Sequence, residues 1–470
     1  MSAAMQKVGG TGLRRFKPYP EYKDSGVEWL GKIPAHWACS RLRYVTHLNP
    51  IKTEVRDLDP LLPVSFVPME AVGEYGGLRL DAVKPLAATR DGFTYFRDGD
   101  VIVAKITPCF ENGKGALALG LENGIAFGTT ELHVLRARPG ADARFVFYVT
   151  LSDHFRRLGA STMYGAGGQK RISEEFILNL RHPLPSELEQ RAIAAFLDCE
   201  TARIDALVAK KERLIELLQE KRAALITRAV TKGLDPNVPM KDSGVEWLGE
   251  IPAHWDVWSV RNLLRRRFVQ VQDGNHGELH PIAEDYVPAG IPFLMATDIH
   301  GGRIDLVGCH FIAKAQADKL RIGFAKPGDV LLTHKGTIGA TAIVPEAIDS
   351  PYIMLTPQVT YYRVIPEMVG AEFLHLQFQS DAFQEQMRIL AEGGTTRAYL
   401  GVVAQRELRL VVPPPDEQRE ISDNLSSVLM PFDQLVGRVR DAINLLKELR
   451  AALISAAVTG KIDVRASDAG

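Results

Sequence analysis

One stretch of fifteen residues occurs twice in this chain, and it restricts the possible folds more than any other feature. The segment KDSGVEWLGKIPAHW at residues 23–37 returns as KDSGVEWLGEIPAHW at residues 241–255, changed only where Lys32 becomes Glu250. A second pair, LLQEKRAALITRAVTKGLD at 217–235 and LLKELRAALISAAVTGKID at 445–463, follows in the same order. The interval of about 220 residues is far longer than the period of a solenoid repeat. The sequence therefore predicts two tandem copies of one plan, each large enough for its own domain.

The first part of each copy has the pattern of a mixed α/β domain. Short β-type runs between Gly and Pro turns predict strands, as in DVIVAKI, DVLLTHK and QVTYYRVI. Amphipathic segments predict helices between the strands. The predicted fold class is therefore α/β (α+β), with two tandem domains joined by long helices. The predicted segments are a tail at 1–20, a domain at 21–185, a helical spacer at 186–236, a second domain at 237–413, a second spacer at 414–464 and a tail at 465–470.

The second part of each copy has the seven-residue apolar spacing of a coiled coil. The predicted seam contains Leu197, Ile204, Leu207, Leu214, Leu218, Leu225, Leu425, Phe432, Leu435, Val439, Leu446 and Leu453. Two such helices in one chain predict an antiparallel intramolecular coiled coil, with the domains related by an approximate two-fold axis. Pairing of each seam with another copy of the chain is the alternative. Pro431 predicts a kink or a break in the second helix.

Composition places the chain among ordinary soluble proteins. Hydrophobic residues make up 46% and charged residues 24% of the sequence, and no segment approaches the roughly 20 apolar residues of a membrane span. The four cysteines form no CxxC pair, which argues against a zinc site and favours a reducing cytoplasm. A net charge of −1 gives no support to nucleic-acid binding, so any such function depends on local arrangement.

Several long segments together resemble the specificity subunit of type I restriction-modification enzymes. These are KPYPEYKDSGVEWLGKIPAHW, PLPSELEQRAIAAFLD, LLQEKRAALITRAVTKGLDPNVPMKDSGVEWLGEIPAHW and PPPDEQREI, and the resemblance extends over residues 17–463. That family has two variable target-recognition domains alternating with two repeated helical regions. The resemblance also implies a bacterial or archaeal host.

The resemblance implies a DNA-binding protein without catalytic activity of its own. Each recognition domain would read one half of a split double-stranded DNA target, and the helical spacer would set the unread gap. Two methyltransferase subunits would dock on it, and two motor-nuclease subunits would join for restriction. S-adenosylmethionine, ATP and Mg²⁺ would belong to those partners, so no cofactor is expected in this chain. The two domains differ in sequence, which predicts an asymmetric target.

Gly-rich polar loops are the candidate DNA contacts. They combine close backbone approach with side chains suited to base edges or phosphates. The candidate residues are Lys114, Gln169, Lys170, Arg171, Lys335, Thr337, Thr395, Thr396 and Arg397. Because GGQKR and GGTTR hold matching places in the two copies, these two loops favour backbone positioning over base choice. Solvated surface turns are the alternative for each of these residues.

The repeated Trp-rich segment is interpreted as a joint that fixes each domain on the helices. Its tryptophans flank turn residues, which suits a packed anchor. Stacking on bases of a single strand is the alternative. We expect His36 and His254 within the joint to be packing or hydrogen-bonding residues.

Two rival functions follow from the same sequence. A single-chain adenine methyltransferase needs an Asn/Asp-Pro-Pro-aromatic motif and a glycine-rich cofactor loop, whereas NPIK at Asn49 lacks the second proline and the aromatic residue. No GxxxxGK[ST] phosphate loop occurs either. A coiled-coil interaction scaffold that does not read DNA is the other rival, and sequence physics alone leaves it open.

Overall fold

The computed structural model describes residues 16–166, 168–277, 279–365, 367–391 and 399–465. The chain divides into two compact units, and each contains one domain with parts of both long helices. Unit 1 takes the chain up to residue 212 and from residue 440 onward, and unit 2 takes residues 213–439.

Unit 1 contains two four-stranded sheets and two strand pairs. Its strands are β1 (Tyr22–Asp24), β2 (Lys32–Pro34), β3 (Ala38–Arg41), β4 (Thr46–Leu48), β5 (Pro63–Val67), β6 (Val83–Pro85), β7 (Thr94–Arg97), β8 (Asp100–Ala104), β9 (Gly115–Leu117), β10 (Ile125–Gly128), β11 (Leu132–Ala137) and β12 (Arg181–Leu184). Its helices are α1 (Leu42–Val45), α2 (Ala143–Leu151), α3 (Asp153–Ser161), α4 (Glu174–Asn179) and the first part of α5 (Glu187–Lys232). The sheet order is β4-β11-β8-β9 in one sheet and β6-β5-β10-β7 in the other, where β5 and β10 run parallel.

Unit 2 has the same architecture. Its strands are β13 (Met240–Asp242), β14 (Glu250–Pro252), β15 (Asp256–Ser259), β16 (Val269–Asp273), β17 (Tyr286–Leu294), β18 (Ile299–His300), β19 (Arg303–Ile304), β20 (His310–Ile312), β21 (Phe324–Ala325), β22 (Val330–Lys335), β23 (Thr337–Ile343), β24 (Ile353–Leu355), β25 (Val359–Val364) and β26 (Arg409–Val412). Its helices are α6 (Val260–Arg265), α7 (Lys314–Ala317), α8 (Ala371–Gln379), α9 (Asp381–Ala391), α10 (Val402–Gln405) and the first part of α11 (Pro415–Val458). The sheets have the orders β16-β25-β22-β23 and β20-β17-β24-β21, with β17 and β24 parallel.

The two four-stranded sheets and the two other strand pairs of unit 1 have counterparts in unit 2, which adds the pair of β18 and β19, and this confirms two tandem copies of a mixed α/β plan. A buried ion pair at the same place in each sheet shows the correspondence. Arg136 on β11 donates two hydrogen bonds of 2.7 Å to Asp100 on β8. Arg363 on β25 likewise donates bonds of 2.8 and 2.7 Å to Asp329, directly before β22. Both carboxylates are 1% exposed, so a bidentate arginine is the partner that offsets their lost hydration.

The two long helices pack against each other inside each unit, and the pairing is antiparallel. In unit 1, Ile193 and Leu197 near the start of α5 share a core with Ile454 near the end of α11. In unit 2, Ile226 near the end of α5 shares a core with Leu425 near the start of α11. This confirms the predicted intramolecular pairing. Pro431 does not break α11, because the helix runs from Pro415 to Val458 with this proline inside it.

The predicted seam was wrong by one residue at three positions. Leu207, Leu214 and Leu435 are 44%, 40% and 43% exposed. The half-buried positions are instead the residues that follow them, Val208, Ile215 and Val436. At each of these places two apolar residues are adjacent in the sequence, and either of them fits the alternating spacing of three and four residues in a heptad. The sequence alone therefore does not decide which of the two faces the opposite helix. The other nine predicted seam residues are buried or half-buried.

Adjacent residues in α11 provide a test of this corrected seam. Leu429 is 5% exposed, whereas Val428 is 37% exposed. We expect Leu429→Glu to lower the free energy of unfolding by about 4 kcal/mol, because it removes a buried side chain and buries an unpaired carboxylate. Val428→Glu is the matched control and should change it by less than about 1 kcal/mol. Denaturant unfolding checks both, and equal losses would contradict the corrected register.

The repeated Trp-rich segment packs between the end of one long helix and the start of the other. Trp37 and Trp255 are fully buried, which excludes base stacking by these two rings and agrees with a packed joint, whereas Trp29 and Trp247 are half-buried. His36 lies 3.1 Å from a carboxylate oxygen of Glu189 at the start of α5. His254 lies 2.8 Å from the equivalent Glu417 at the start of α11.

The end of α11 approaches the joint of unit 1 too closely for a larger residue. A Cβ atom at Gly460, after α11, would lie 2.4 Å from the ring of Pro34 and 2.9 Å from that of Trp37. Gly460 also has a φ of +71°, a value that favours glycine. The glycine therefore both ends the helix and admits the joint of unit 1.

A buried glutamine fastens each domain to the first turn of its helix. The Gln190 amide donates to the carbonyls of Gly140 and Pro185 at 3.2 and 3.0 Å and accepts from the Asp142 N–H at 2.9 Å. In unit 2 the Gln418 amide donates to Met368 and Pro413 at 2.9 and 2.8 Å and accepts from the Gly370 N–H at 2.9 Å. The sequence Glu-Gln-Arg occurs at residues 189–191 and 417–419, in the first turns of the two long helices. Its glutamine therefore fastens the domain to the helix in both copies. No helix in the described part of the chain is long and apolar enough to cross a membrane.

Candidate nucleic-acid interface

In unit 1, two polar segments are joined at one end of the sheet that contains β8. The Thr107 N–H donates to the Lys170 carbonyl at 2.9 Å, and the Lys170 N–H donates to the Thr107 hydroxyl at 3.0 Å. The Ile172 N–H donates to the Lys105 carbonyl at 2.9 Å, which extends β8 toward this segment. The side chains of Gln169 and Lys170 are exposed here. They are placed to contact a ligand outside the domain.

Two other predicted cations of unit 1 are already engaged within the domain. Arg171 donates two hydrogen bonds of 2.9 Å to the Glu131 carboxylate, which holds the pKa of that carboxyl below its usual value. The Lys114 ammonium donates to the Met69 carbonyl at 3.1 Å and is half-buried. Arg171 and Lys114 therefore stabilise loops in this structure, and their contact with DNA stays a prediction.

In unit 2, the predicted residues that the structure describes lie on the hairpin of β22 and β23. Lys335 and Thr337 face each other across the turn at Gly336, whose φ is +80°. Both side chains are exposed. The remaining candidates, Thr395, Thr396 and Arg397, lie outside the described residues.

Tyr399 holds the place in unit 2 that Arg171 holds in unit 1. The Leu400 N–H donates to the His334 carbonyl at 3.0 Å, just as Ile172 donates to Lys105. The residue before each donor is therefore equivalent, and it is Arg171 in one copy and Tyr399 in the other. Tyr399 is 49% exposed and pairs through its backbone with Lys335. The loops of the two units thus present different chemistry on the same scaffold.

Behind this hairpin lies a buried polar pair that the sequence did not reveal. His334 is fully buried, and its Nε2 lies 2.8 Å from the Asp273 carboxylate on β16. Its ring lies 5.7 Å from the ring of Tyr399. The two partners are far apart in the sequence, so no spacing rule could have found them. The pair holds the end of β22 and the base of the Tyr399 loop together.

A half-buried histidine, His375 on α8, lies behind β23 and is held neutral by its neighbours. The Gln379 side-chain oxygen accepts a hydrogen bond from Arg222 at 2.8 Å, so its amide nitrogen faces His375 Nε2 at 2.7 Å. The His375 Nε2 must then accept a hydrogen bond from the Gln379 amide. The ring proton is therefore on His375 Nδ1, which lies 3.2 Å from the Thr341 hydroxyl. Burial, and then the charge of Arg222, lower the pKa of His375 to about 4.

This environment predicts an acid-sensitive unit 2. The pKa of His375 is about 4 in the folded chain, below the ordinary value of 6.5, so the unfolded chain binds more protons between those values. Stability is therefore full above about pH 6.5 and falls as the pH approaches 4. The expected loss from this group between pH 7.5 and pH 5 is about 2 kcal/mol.

Thermal unfolding at the two pH values tests this prediction. His375→Gln should reduce the difference in stability between them, because its side chain does not titrate. The exposed His300 provides the matched control, and His300→Gln should leave the difference unchanged. An unaltered pH dependence in His375→Gln would contradict the assignment.

Some known proteins are similar to this chain in sequence, and others are similar in architecture. The specificity subunit of the type I restriction enzyme EcoAI from Escherichia coli is 37% identical over 185 residues, which are 38% of this chain and 30% of that protein. The EcoEI specificity subunit from Escherichia coli is 39% identical over 181 residues, again 38% of this chain and 30% of that protein. Over this part of its sequence, the chain is similar to type I restriction specificity subunits. The aligned part spans less than a third of either relative's length, and no protein-family model matches the chain.

The fold of one solved structure extends over nearly the whole chain. A solved structure from work on complex assembly and conformational transition of the type I R-M system has a TM-score of 0.64 to this chain. The match covers 92% of this chain and 99% of that one, at 19% sequence identity. At this identity the likeness shows a shared fold, in agreement with the sequence relation to the type I specificity subunits.

Proposed function

We propose that this chain is the DNA sequence-specificity subunit of a type I restriction-modification complex and that it is not itself a catalyst. Each recognition domain reads one half of a bipartite, asymmetric target in double-stranded DNA. The paired helices set the unread gap between the halves. The protein acts in the cytoplasm of its bacterial or archaeal host.

The observation that carries this proposal is that the two domains have the same arrangement of sheets but different residues in their equivalent exposed loops. The four-stranded sheets of the two domains have the same strand order, and Gln190 and Gln418 fasten the domains to the helices by the same three hydrogen bonds. At equivalent positions, however, unit 1 carries Arg171 and unit 2 carries Tyr399. Matched scaffolds with unlike exposed loops suit two readers of two different half-sites.

The exposed groups at these loops have the chemistry that base recognition needs. The Gln169 amide can make a paired hydrogen bond with adenine, and Lys170 or Lys335 can bind guanine or phosphate. A near-neutral chain fits this role when partner subunits supply much of the phosphate contact, because base edges rather than backbone charge determine specificity.

The outer surface of the helices supports the docking of two methyltransferase subunits. Leu207 and Leu214 on α5 and Leu435 on α11 are exposed apolar side chains, which commonly mark protein interfaces when they are grouped. Two motor-nuclease subunits would join this assembly for restriction. S-adenosylmethionine, ATP and Mg²⁺ belong to the partner subunits in this proposal.

Sequencing of modified bases in the host genome tests the proposal. We expect methylated adenines within a split target of two unlike halves, and we expect this modification to disappear when the gene for this chain is deleted. Restoring the gene should restore the same target. Adenine methylation that persists in the deletion strain, or that shows no split target, would overturn the proposal.

A further inference from the structure

The two RAALI sequences place an arginine at the same position of each long helix. Arg222 begins this sequence in α5, and Arg450 begins it in α11. Each arginine forms an ion pair with the opposite helix, Arg450 with Asp205 at 3.0 Å and Arg222 with Asp433 at 3.2 Å. The two aspartates are separated in the sequence by the same interval as the arginines, so the pairs are equivalent. Neither arginine is confined to this pair.

Arg450 also reaches the recognition domain of unit 1. Its Nη2 donates to the Tyr75 carbonyl at 3.1 Å, and its guanidinium lies 5.3 Å from the centre of the Tyr75 ring. The Arg450 side chain is only 11% exposed, so these contacts are largely shielded from water. Tyr75 has a φ of +60°, a conformation that non-glycine residues rarely adopt. The loop is therefore held in a specific shape against the helix.

The Tyr75 loop contacts a second loop, between β8 and β9, in which the sequence predicts a DNA contact. The Tyr75 N–H donates to the Gly113 carbonyl at 3.0 Å, and a Cβ at Gly113 would lie 3.2 Å from the Tyr75 ring. Glu74 pairs through its backbone with Lys114, the candidate at the start of β9. Arg450 thus supports the β8–β9 loop through a single intervening residue.

Arg222 makes an equivalent connection in unit 2 with different residues. It donates to the Gln379 side chain, which contacts His375, and His375 contacts Thr341 on β23. β23 is one arm of the hairpin that carries Lys335 and Thr337. In both units, then, an inward-facing arginine of the helices connects to the hairpin whose tip carries candidate DNA contacts.

We propose that Arg222 and Arg450 are positioning residues that hold each recognition domain at one orientation on the paired helices and thereby restrict the target to one gap length. This inference rests on the proposed function. A one-base-pair change in the gap both shifts and rotates one half-site relative to the other, because B-DNA completes a turn in about 10 base pairs. A domain held by the arginine cannot follow that rotation. A domain released from it tilts and accepts the altered gap.

The test measures methylation of duplexes with the native gap and with gaps one base pair shorter or longer. The full chain is used in complex with the methyltransferase subunits of its host. We expect Arg450→Ala and Arg222→Ala to reduce the preference for the native gap by about ten-fold or more, since each loses a charge-assisted hydrogen bond. Duplexes with a substituted half-site should still be rejected. Arg213→Ala is the matched control, because Arg213 is exposed and its ion pairs are with Glu216 and Glu220 of the same helix.

Arg450→Lys separates positioning from stability. A lysine keeps the charge opposite Asp205 but lacks the planar fork that also reaches the Tyr75 carbonyl and ring. We expect it to restore the melting temperature toward that of the unchanged chain while gap preference stays low. If Arg450→Ala does not fold, Tyr75→Gly removes the ring against which Arg450 packs but keeps the carbonyl, so it should relax gap preference in part. Gln379→Ala removes the side chain that accepts from Arg222 and should relax gap preference as Arg222→Ala does.

The experiment distinguishes a failure of the arginine proposal from a failure of the proposed function. Variants that fold and keep the full preference for the native gap would overturn this inference alone. An unchanged complex that methylates no split target would overturn the proposed function, and this inference with it.

Discussion

Replacing residues 38–184 with the equivalent domain of another specificity subunit is expected to change one half of the methylated target completely. The other half and the gap should stay the same. The physical reason is that β3 and β12 close the domain as an antiparallel pair, so the exchange cuts the chain where both ends lie side by side. The joint at residues 23–37 and both long helices remain native. These retained segments contain Trp37 and Gln190, whose contacts fasten the domain to the helices.

The exchange must preserve the contacts that fasten the domain to α5. The donor domain needs backbone groups that meet Gln190 and a hydroxyl equivalent to that of Tyr148, which donates to Asp198 at 2.7 Å. A matched control exchanges the domain of unit 2 instead and should alter the opposite half. Modified-base sequencing reads the outcome. A change in both halves after a single exchange would show that the domains do not read independently.

Gln190→Leu is expected to cause the largest loss of stability in unit 1. Gln190 is fully buried, and leucine has a similar volume but no polar atoms. The substitution leaves the Gly140 and Pro185 carbonyls and the Asp142 N–H without their buried partner. Each unsatisfied group costs about 1–3 kcal/mol, so a total of about 4 kcal/mol is expected.

Calorimetric unfolding measures this effect, and the chain offers two comparisons. Gln219 lies on the exposed surface of α5, and Gln219→Leu should change stability by less than about 1 kcal/mol. Gln418→Leu should repeat the large loss in unit 2, where the same three contacts exist. A loss below about 1 kcal/mol in Gln190→Leu would mean that the anchor does not determine how the helix is held.

The repeats allowed the architecture to be predicted because they are long and keep their order. A fifteen-residue segment with two tryptophans returns almost unchanged, and in each unit it packs against the start of one long helix and the end of the other. The seam could be located to a helix face but not to a residue. Leu207 and Val208, like Leu435 and Val436, offer two apolar neighbours, and packing against the opposite helix decides between them.

The site residues were less predictable, because their roles depend on partners that are distant in sequence. Arg171 looks like a free cation in GGQKR, yet Glu131, in the turn directly before β11, pairs with it. His334 has no acid at ligand spacing, yet β16 brings Asp273 beside it. Strand order places these pairs, and it cannot be read from composition or from local pattern.

The central claim is that the paired helices determine the distance between two half-sites read by two domains. The most direct test inserts three heptads, 21 residues, after Glu212 in α5 and 21 after Val439 in α11, at the boundary between the units, so that the seam keeps its phase on both helices. At about 1.5 Å per residue this adds roughly 32 Å, which is close to one turn of DNA, so the two half-sites return to nearly the same relative rotation. Modified-base sequencing should then show the same two halves with a gap about 9 base pairs longer. An unchanged gap in an active complex would contradict the claim.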